Sequence, residues 1–304
     1  MAKIVIVGSG VVGTATGKGF AHRGHDVTFV DVDPNRLQAL RADGHTAVDH
    51  IELTDQPATI FLTLPTPNDG HRWDLTALEA GTRSVGTALA ANTAFHTVVT
   101  RSTVPPGTTE QVVRPIIEQE SGLRTGPGFA LASNPEFLRA QCADEDFLFP
   151  WTTVIASRST RTVERLRALL APFGGEILTF SNPAVAEMIK CSHNLFNAAK
   201  ISFWNEMWQV GRRLGLDANE VASVVARSAE GSFNPAYGIR GGFPYGGACL
   251  PKDTKGFIGF ARELGVEMPL MRAVDEVNEQ MISQVADSID MRDQVVRPAA
   301  SSAA

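Results

Sequence analysis

A cysteine follows two glycines in the octapeptide GGACLPKD, residues 246–253. Pro251 is typical of the first turn of a helix, so the spacing predicts Cys249 at a helix N-terminus. The helix dipole and the neighbouring Lys252 favour a thiolate at that position, and a thiolate can add to a carbonyl carbon. Free cysteine is also commonly a small buried packing residue. The octapeptide alone leaves both interpretations open.

A lysine and an asparagine lie four residues apart in EMIKCSHNLFN, and Asn197 lies seven residues after Lys190. On a helix, Lys190, Asn194 and Asn197 share one face. In a closed cleft such a lysine can stabilise a developing alkoxide or shuttle its proton, and the asparagine can bond the same oxygen or a water. In isolation the pattern favours a solvated polar stripe. Cys191 and His193 point elsewhere on the helix and are interpreted as packing residues.

A glycine-rich turn stands at the start of the chain, where GSGVVG follows the apolar run KIVIV. Gly8 permits the tight turn, Gly10 lets the backbone approach a pyrophosphate, and Gly13 lets helix and strand pack closely. Asp31 closes the next strand, where a carboxylate can bond both ribose hydroxyls and would repel a 2′-phosphate. The motif predicts NAD binding and favours NAD over NADP. Arg36 joins the predicted cofactor set, although by itself it is interpreted as a solvated helix residue.

The thiol and the dinucleotide motif together suggest one chemistry. A thiolate beside a nicotinamide can add to an aldehyde, and the resulting thiohemiacetal can lose a second hydride to give a thioester. Water must then hydrolyse the thioester, which calls for a carboxylate base. Asp253 is one candidate, and Glu136 at the end of a predicted strand is another.

The elements that must position these residues are of two kinds. Six apolar runs alternate with helix-like segments in the first 180 residues, which predicts a mostly parallel sheet with helices on both faces: KIVIVG, DVTFVD, TIFLTLP, FHTVVTRST, FALASNPEF and TTVIAS. From about residue 184 the pattern is helical. The predicted fold class is α/β, with an N-terminal Rossmann-type doubly wound sheet followed by a helical domain. The predicted domains are an NAD-binding domain over 1–183, a helical domain carrying the cysteine loop over 184–290, and a disordered tail over 291–304.

Composition excludes several function classes. The chain has 304 residues, a net charge of −6 and 43% hydrophobic residues. Without a long basic run it is not expected to bind nucleic acid or a membrane surface. An N-terminal strand leaves no room for a signal peptide, and no apolar run is long enough to span a membrane. Three scattered cysteines lack metal-ligand spacing. We therefore expect a cytoplasmic protein with reduced thiols and no metal.

Several separated motifs agree with one family. GSGVVG, TLPTPND followed by WDLTAL, RSTVPPGTT, SNPEFLR, EMIKCSHN and GGACLPKDT occur in the order found in it. The chain resembles the UDP-glucose/GDP-mannose dehydrogenase family across about residues 1–285. The resemblance implies an enzyme that oxidises the C6 alcohol of a nucleotide sugar to a carboxylate with two NAD and a cysteine thioester. It also implies a homodimer built on the long helix after residue 184.

The resemblance implies a role for each motif residue. Cys249 resembles the thioester nucleophile and Lys190 the residue that stabilises oxyanions. Asn194 and Asp253 resemble the residues that hold water and the substrate oxygen. Thr103 matches a threonine near the nicotinamide.

Glu136 matches the base of thioester hydrolysis, and Pro65, Thr66 and Pro67 match a loop on the cofactor side. The cofactor-binding set is Gly8, Gly10, Val11, Val12, Gly13, Asp31, Arg36, Pro65, Thr66 and Thr103. The substrate-binding set is Glu136, Phe137, Leu138, Lys190, Asn194, Arg240, Tyr245 and Gly246.

The sequence departs from the family in four places. Ala140 stands where a second glutamate is usual, and no basic residue lies at the spacing of the one that reaches across the dimer. Arg240 is a possible replacement. NPAY is weakly closer to the GDP-mannose branch. The family's third domain, which grips the nucleotide, is not matched, so the chain is interpreted as a fragment, a naturally short enzyme acting on a nucleotide sugar or a nucleoside, or half of a split enzyme.

Two other functions remain open at this point. A two-electron β-hydroxyacid dehydrogenase also pairs a dinucleotide fold with a lysine and asparagine one turn apart, but it gives no task to GGACLPKD. A non-enzymatic NAD-binding subunit of a split nucleotide-sugar dehydrogenase is the second alternative.

Overall fold

The apolar runs of the first 180 residues form one sheet. The computed structural model describes residues 1–68, 70–239, 241–247 and 249–296, with side chains as far as residue 286. Its eight-stranded sheet has the order β3-β2-β1-β4-β5-β6-β7-β8. The strands are β1 (Lys3–Val7), β2 (Asp26–Val30), β3 (Thr46–Val48), β4 (Ala58–Leu62), β5 (Thr97–Thr100), β6 (Ala130–Ser133), β7 (Thr152–Ala156) and β8 (Glu176–Phe180).

Strand direction changes once across the described sheet. The pairs from β3 to β6 are parallel, β6 pairs antiparallel with β7 through Ser133 and Ala156, and β7 is parallel to β8. The first six strands therefore have the doubly wound dinucleotide order 3-2-1-4-5-6. β7 and β8 therefore run in the direction opposite to β1–β6, and the chain that follows β7 turns back along β6 toward the amino end of that strand.

Helices cover both faces of the sheet. One buried cluster packs around Phe20, Phe29 and Phe61, and a second packs around Leu78, Val98 and Phe129. A π-helical turn over Thr109–Val113 leads into the fourth helix. The helices are α1 (Val11–His22), α2 (Pro34–Ala42), α3 (Thr76–Ala90), α4 (Arg114–Ser121), α5 (Ala143–Leu148), α6 (Thr160–Leu170), α7 (Pro183–Leu214), α8 (Ala218–Ser228), α9 (Glu230–Phe233), α10 (Leu250–Glu263) and α11 (Pro269–Val296).

The predicted fold class is confirmed, and the six predicted strands are present. The sequence analysis missed β3 and β8. Both are edge strands: β3 has three residues, and no residue of β8 is buried. The segment 230–251, expected as loop, contains the short helix α9.

The chain divides into two compact units, Met1–Asn194 and a second that begins at Leu195, so the division falls within α7. The second unit has a small core of Val210, Ala261, Val266 and Met268. A tail was expected from residue 291, whereas the helical backbone continues to Val296 and residues 297–304 lie outside the described part. Among the described residues no helix is both long and apolar enough to cross a membrane.

Candidate functional site

The three glycines of the first turn lack a side chain for different geometric reasons. Gly8 has φ 95°, and a Cβ on it would lie 2.7 Å from the carbonyl oxygen of Thr63. A Cβ on Gly13 would lie 1.9 Å from the carbonyl oxygen of Gly8. Gly10 has an ordinary extended backbone, with nothing within 4 Å of its missing Cβ. Its lack of a side chain therefore serves no internal packing and leaves backbone open at the start of α1, where an anion is favoured.

Asp31 follows β2 and is buried, with 7% of its surface exposed. Ser9 donates both its backbone N–H and its hydroxyl to Oδ2 at 2.6 Å, and the backbone N–H of Asp33 donates to Oδ1 at 2.9 Å. Burial alone raises the pKa of Asp31, but these hydrogen bonds and the charge of Arg36 at 3.5 Å outweigh it and lower the pKa. The carboxylate stays ionised and keeps lone pairs for ribose hydroxyls.

A cleft of about 990 Å³ opens at the carboxyl ends of the parallel strands. This is the edge where doubly wound sheets bind their ligands. Gly13 lies behind the lining, packed against Gly8. The predicted site residues that line the cleft are Gly8, Gly10, Val11, Val12, Asp31, Arg36, Pro65, Thr66, Thr103 and Glu136.

Two loops at this edge are tied together by hydroxyl groups. Thr66, after β4, donates its hydroxyl to the carbonyl of Thr103 at 2.6 Å. Ser102, after β5, donates its hydroxyl to the carbonyl of Leu64 at 2.6 Å. The two hydrogen bonds hold the backbone of Thr103 and Thr66 at the cleft. Ser102 was not among the predicted residues.

Glu136 and Lys190 form a buried ion pair. Lys190 Nζ lies 3.1 Å from Glu136 Oε1, and their side chains are 6% and 11% exposed. The backbone N–H of Leu138 donates to Glu136 Oε2 at 2.5 Å, and Lys190 Nζ lies 5.5 Å from the centre of the Phe137 ring. Phe137 and Leu138 line a small adjoining cavity of about 30 Å³ with Trp151. Glu136 also lines the cleft, so its carboxylate lies between the cleft and the buried ammonium of Lys190.

A buried arginine was missed by the sequence analysis. Arg101 follows β5 and is 5% exposed, and it forms no ion pair with a described carboxylate. It donates to the side-chain oxygen of Asn134 at 2.6 Å and to the hydroxyl of Thr16 at 2.9 Å. Burial lowers the pKa of Arg101 to about 10, which the charge of Glu136 partly opposes. The sequence offered one signal for this residue: a charged side chain directly follows the strand-like run TVVT.

A buried carboxylate on α7 holds the loop that carries Thr103. Glu187 is 2% exposed and accepts hydrogen bonds from the backbone N–H groups of Gly107 and Thr109 at 2.5 and 2.8 Å. The Thr109 hydroxyl donates to it at 2.6 Å. Glu187 therefore fixes this loop to the helix that carries Lys190, three residues further along.

The neighbours of Lys190 on α7 have packing contacts. The Cys191 thiol donates to the carbonyl of Val104 at 3.3 Å, and burial raises its pKa. The His193 ring contacts the rings of Phe137 and Trp151, and burial followed by the charge of Lys190 lowers its pKa. Asn194 is exposed at the end of the first unit.

The predicted cysteine loop lies in the second unit. Cys249 is exposed and is the N-cap of α10, with its carbonyl accepting from the backbone N–H of Asp253 at 2.8 Å. Lys252 and Asp253 form an exposed ion pair at 2.6 Å. The backbone N–H of Tyr245 donates to the side chain of Asn278 at 2.7 Å.

Other predicted residues of this unit are less informative. Gly246 is exposed, and nothing lies within 4 Å of its missing Cβ. Arg240 lies outside the described residues. Over the part of the chain that the structure describes, no group of three or more histidine, cysteine or acidic side chains could hold a metal ion.

The strand order, the glycine turn with its open Gly10 and the ionised Asp31 fit a bound dinucleotide. They define an NAD-binding protein of the doubly wound class. Family comparison agrees: the NAD binding domain of the UDP-glucose/GDP-mannose dehydrogenase family matches residues 2–52 and 46–174, and its central domain matches 184–280. The chain belongs to the UDP-glucose/GDP-mannose dehydrogenase family. It is an NAD-dependent oxidoreductase that acts on an alcohol group.

Individual relatives align with most of the chain. UDP-glucose 6-dehydrogenase AglM of Haloferax volcanii is 35% identical over 95% of this chain and 72% of its own length. GDP-mannose 6-dehydrogenase of Pseudomonas aeruginosa is 33% identical over 96% of this chain and 71% of its own length. A crystal structure of GDP-mannose dehydrogenase from Pseudomonas aeruginosa superposes with a TM-score of 0.87 at 31% identity, covering 96% of this chain and 71% of that one.

Proposed function

We propose that this protein oxidises the primary alcohol of a nucleotide sugar, or of a related nucleoside or sugar, to a carboxylate by removing four electrons through a thioester on Cys249. The observation that carries the proposal is the buried Lys190–Glu136 pair at the edge of the dinucleotide cleft. Stabilising an oxyanion needs a cation in a dry site, and hydrolysing a thioester needs a base. Relatives named for UDP-glucose and GDP-mannose support the substrate class.

The first unit holds the cofactor. Gly10 and the start of α1 would receive the pyrophosphate, and Asp31 would receive the adenosine ribose hydroxyls. Pro65, Thr66 and Thr103 line the same cleft and would face the nicotinamide half. Bound NAD supplies a hydride acceptor, and two are needed for each acid formed.

Lys190 provides the positive charge for the first oxidation. In our proposal its ammonium stabilises the alkoxide that forms when the alcohol passes its proton to the water held beside it, and a hydride then leaves the carbon for bound NAD, which gives an aldehyde. Asn194, four residues later on the same helix, and Asp253 hold the substrate oxygen and a water. Thr103 positions that water beside the cleft.

Cys249 turns the aldehyde into a substrate for the second oxidation. Its sulfur adds to the carbonyl carbon, and Lys190 stabilises the oxyanion of the resulting thiohemiacetal. Loss of a second hydride gives the thioester. Glu136 then takes a proton from water, the water oxygen bonds to the acyl carbon, and the carbon–sulfur bond breaks to release the carboxylate and restore the thiol.

The remaining assignments belong to the same proposal. Phe137, Leu138, Tyr245, Gly246 and Arg240 are proposed to contact the substrate. We retain the division into domains near residue 183, and a homodimer built on α7. The chain spans about 71% of the length of the relatives above.

The decisive experiment measures stoichiometry. NADH and acid are quantified for UDP-glucose, GDP-mannose, other UDP-sugars and free nucleosides. The proposal predicts two NADH for each acid with at least one of these substrates. One NADH per turnover and indifference to thiol alkylation would favour the two-electron β-hydroxyacid reaction, and tight NAD binding without turnover would favour a regulatory or assembly subunit.

Trapping the intermediate tests the role of the thiol directly. Glu136→Gln should slow hydrolysis, so that intact-protein mass spectrometry shows the substrate acyl group on the peptide containing Cys249. Cys142→Ala is a matched thiol control and should still accumulate the adduct in the Glu136→Gln background. An adduct on another residue would contradict the assignment.

A further inference from the structure

A second cleft lies on the opposite edge of the sheet. It has a volume of about 700 Å³ and opens where β7 ends and α6 begins. Its lining also includes Phe95, which precedes β5, and Ala130, the first residue of β6. β7 runs antiparallel to β6, with Ala156 paired to Ser133, so the chain after β7 turns back along β6 toward its amino end. Ser157 donates its hydroxyl to the carbonyl of Leu131 at 2.6 Å, and this contact fixes the start of α6 beside the cleft.

Three arginines line the cleft from one segment. Arg158 directly precedes Ser159, the N-cap of α6, and Arg161 and Arg165 are four residues apart, so they share one face of the helix. None of them forms an ion pair with a described carboxylate, unlike Arg114 across the cleft, which lies 3.3 Å from Glu110.

The polar contacts of these arginines are to neutral oxygens. Arg158 donates to the side-chain oxygen of Asn182 at 3.2 Å, and Arg165 donates to the hydroxyl of Thr97 at 3.4 Å and lies over the Phe95 ring. The other acidic residue in the lining, Glu118, accepts from Arg124 and from the backbone N–H of Thr125. The positive charge of the three arginines is not neutralised by either glutamate.

This arrangement is unfavourable for α6 itself. Arg161 in the first turn opposes the helix dipole, and Arg161 and Arg165, four residues apart, repel each other. The first turn of α6 has no acidic residue that would offset their charge. Stability of the helix therefore does not account for these arginines. An anion in the cleft would remove both penalties.

We propose that the cleft lined by Arg158, Arg161 and Arg165 binds a small molecule carrying a phosphate or diphosphate group. Arginine forks match phosphate oxygens in pairs, and the positive end of the α6 dipole favours an anion at the same place. The volume exceeds that of phosphate alone, and Phe95 offers an apolar surface for the rest of the ligand. The site is separate from the NAD cleft, because the two open on opposite edges of the sheet.

Titration calorimetry on the whole protein with saturating NAD tests the site. The probes are inorganic phosphate, inorganic pyrophosphate and UDP, each compared between the wild type and the double variant Arg161→Ala/Arg165→Ala. We expect at least one probe to bind with Kd below about 1 mM and the double variant to bind it at least tenfold more weakly. Only binding that the double variant removes is assigned to this cleft, which separates it from binding at the substrate site.

Arg167→Ala is the matched control. Arg167 lies on the same helix, outside the cleft lining, where it contacts the carbonyl of Ile177. The control should bind within about twofold of the wild type, and the probe that binds most tightly identifies free phosphate, diphosphate or nucleotide as the source. The proposal would be overturned if the wild type and the double variant bound every probe equally well. It would also be overturned if no probe bound at about 10 mM, which is roughly ten times the highest expected Kd.

Melting temperatures test whether the arginines bind an anion or only support the fold. Without added anion, the double variant should melt at the same temperature as the wild type or higher, because it removes like-charge repulsion. Pyrophosphate should raise the melting temperature of the wild type more than that of the double variant. A lower melting temperature for the anion-free double variant would show that the arginines support the fold, and it would contradict our argument.

Discussion

The two units hold their candidate residues in different ways. In Met1–Asn194, Asp31 and Lys190 are buried at 7% and 5% exposure, each with at least one polar partner. In the second unit Cys249 is exposed, at the start of α10, with no side-chain hydrogen bond capping the helix. The first arrangement is made by tertiary packing, whereas the second is made by a glycine turn and a helix start.

The difference follows from the architecture of each unit. Parallel strands bring several loops to one edge of the sheet, so residues far apart in sequence meet there and exclude water. The second unit has a small core of four buried residues and a buried Glu206 that accepts from the first backbone N–H groups of α11. We infer that substitutions in the two units should separate effects on chemistry from effects on stability.

The largest difference between the effect on activity and the effect on stability is expected at Cys249. Cys249→Ala should reduce acid formation on the order of 10³-fold or more, because the nucleophile is lost. The free energy of unfolding should change by less than about 0.5 kcal/mol, because the side chain is exposed. Acid assays and urea denaturation measure the two quantities. Full acid production by the variant would show that the thioester mechanism is wrong.

Lys190→Ala should lower both the rate of acid formation and the free energy of unfolding. It leaves Glu136 buried without its partner, which costs roughly 3–5 kcal/mol of stability, and it removes the proposed oxyanion cation. The double variant Lys190→Met/Glu136→Gln should recover most of the stability and none of the activity. If the single variant unfolds like the wild type, the pair is solvated and our description of the first unit fails.

Gly13 and Gly10 form a matched test within one turn. Gly13→Ala would force a Cβ against the carbonyl of Gly8, so a loss of about 3 kcal/mol in stability is expected. Gly10→Ala has the space and an ordinary backbone, so its melting temperature should be unchanged while NAD binds at least about tenfold more weakly. Calorimetric NAD titration and thermal unfolding distinguish the two. Unchanged NAD affinity in Gly10→Ala would remove this residue from the cofactor site.

The smallest effect concerns the pH dependence of stability. The pKa of Asp31 is lowered below 3.8 in the folded protein, so its ionised form stabilises the fold above that pH. This contribution is lost as the pH falls through the lowered folded value. Asp31→Asn should therefore destabilise the protein near neutral pH and flatten the acid limb of the stability curve. If the stability of both proteins fell equally steeply with decreasing pH, the proposed contribution of ionised Asp31 to stability would be wrong.

Local signals predicted much of the first unit. The alternation of apolar runs predicted six of its strands, and GSGVVG with Asp31 predicted the dinucleotide turn, because both depend on near neighbours in the chain. The edge strands β3 and β8 were missed since they have weak apolar patterns. Arg101, Ser9 and Glu187 were also missed, because their partners lie 22 to 85 residues away.

The sequence by itself determined the chemistry available to this protein: a thiol at a helix start, a lysine and a carboxylate on predicted elements, and a glycine turn for a dinucleotide. Tertiary structure alone decided which of these groups are buried and paired. Glu136 and Lys190 meet because β6 ends where α7 passes, 54 residues along the chain, and burial makes their charges interact strongly. The arginines of α6 likewise became a candidate site only when the reversal of β7 placed them around a second cleft.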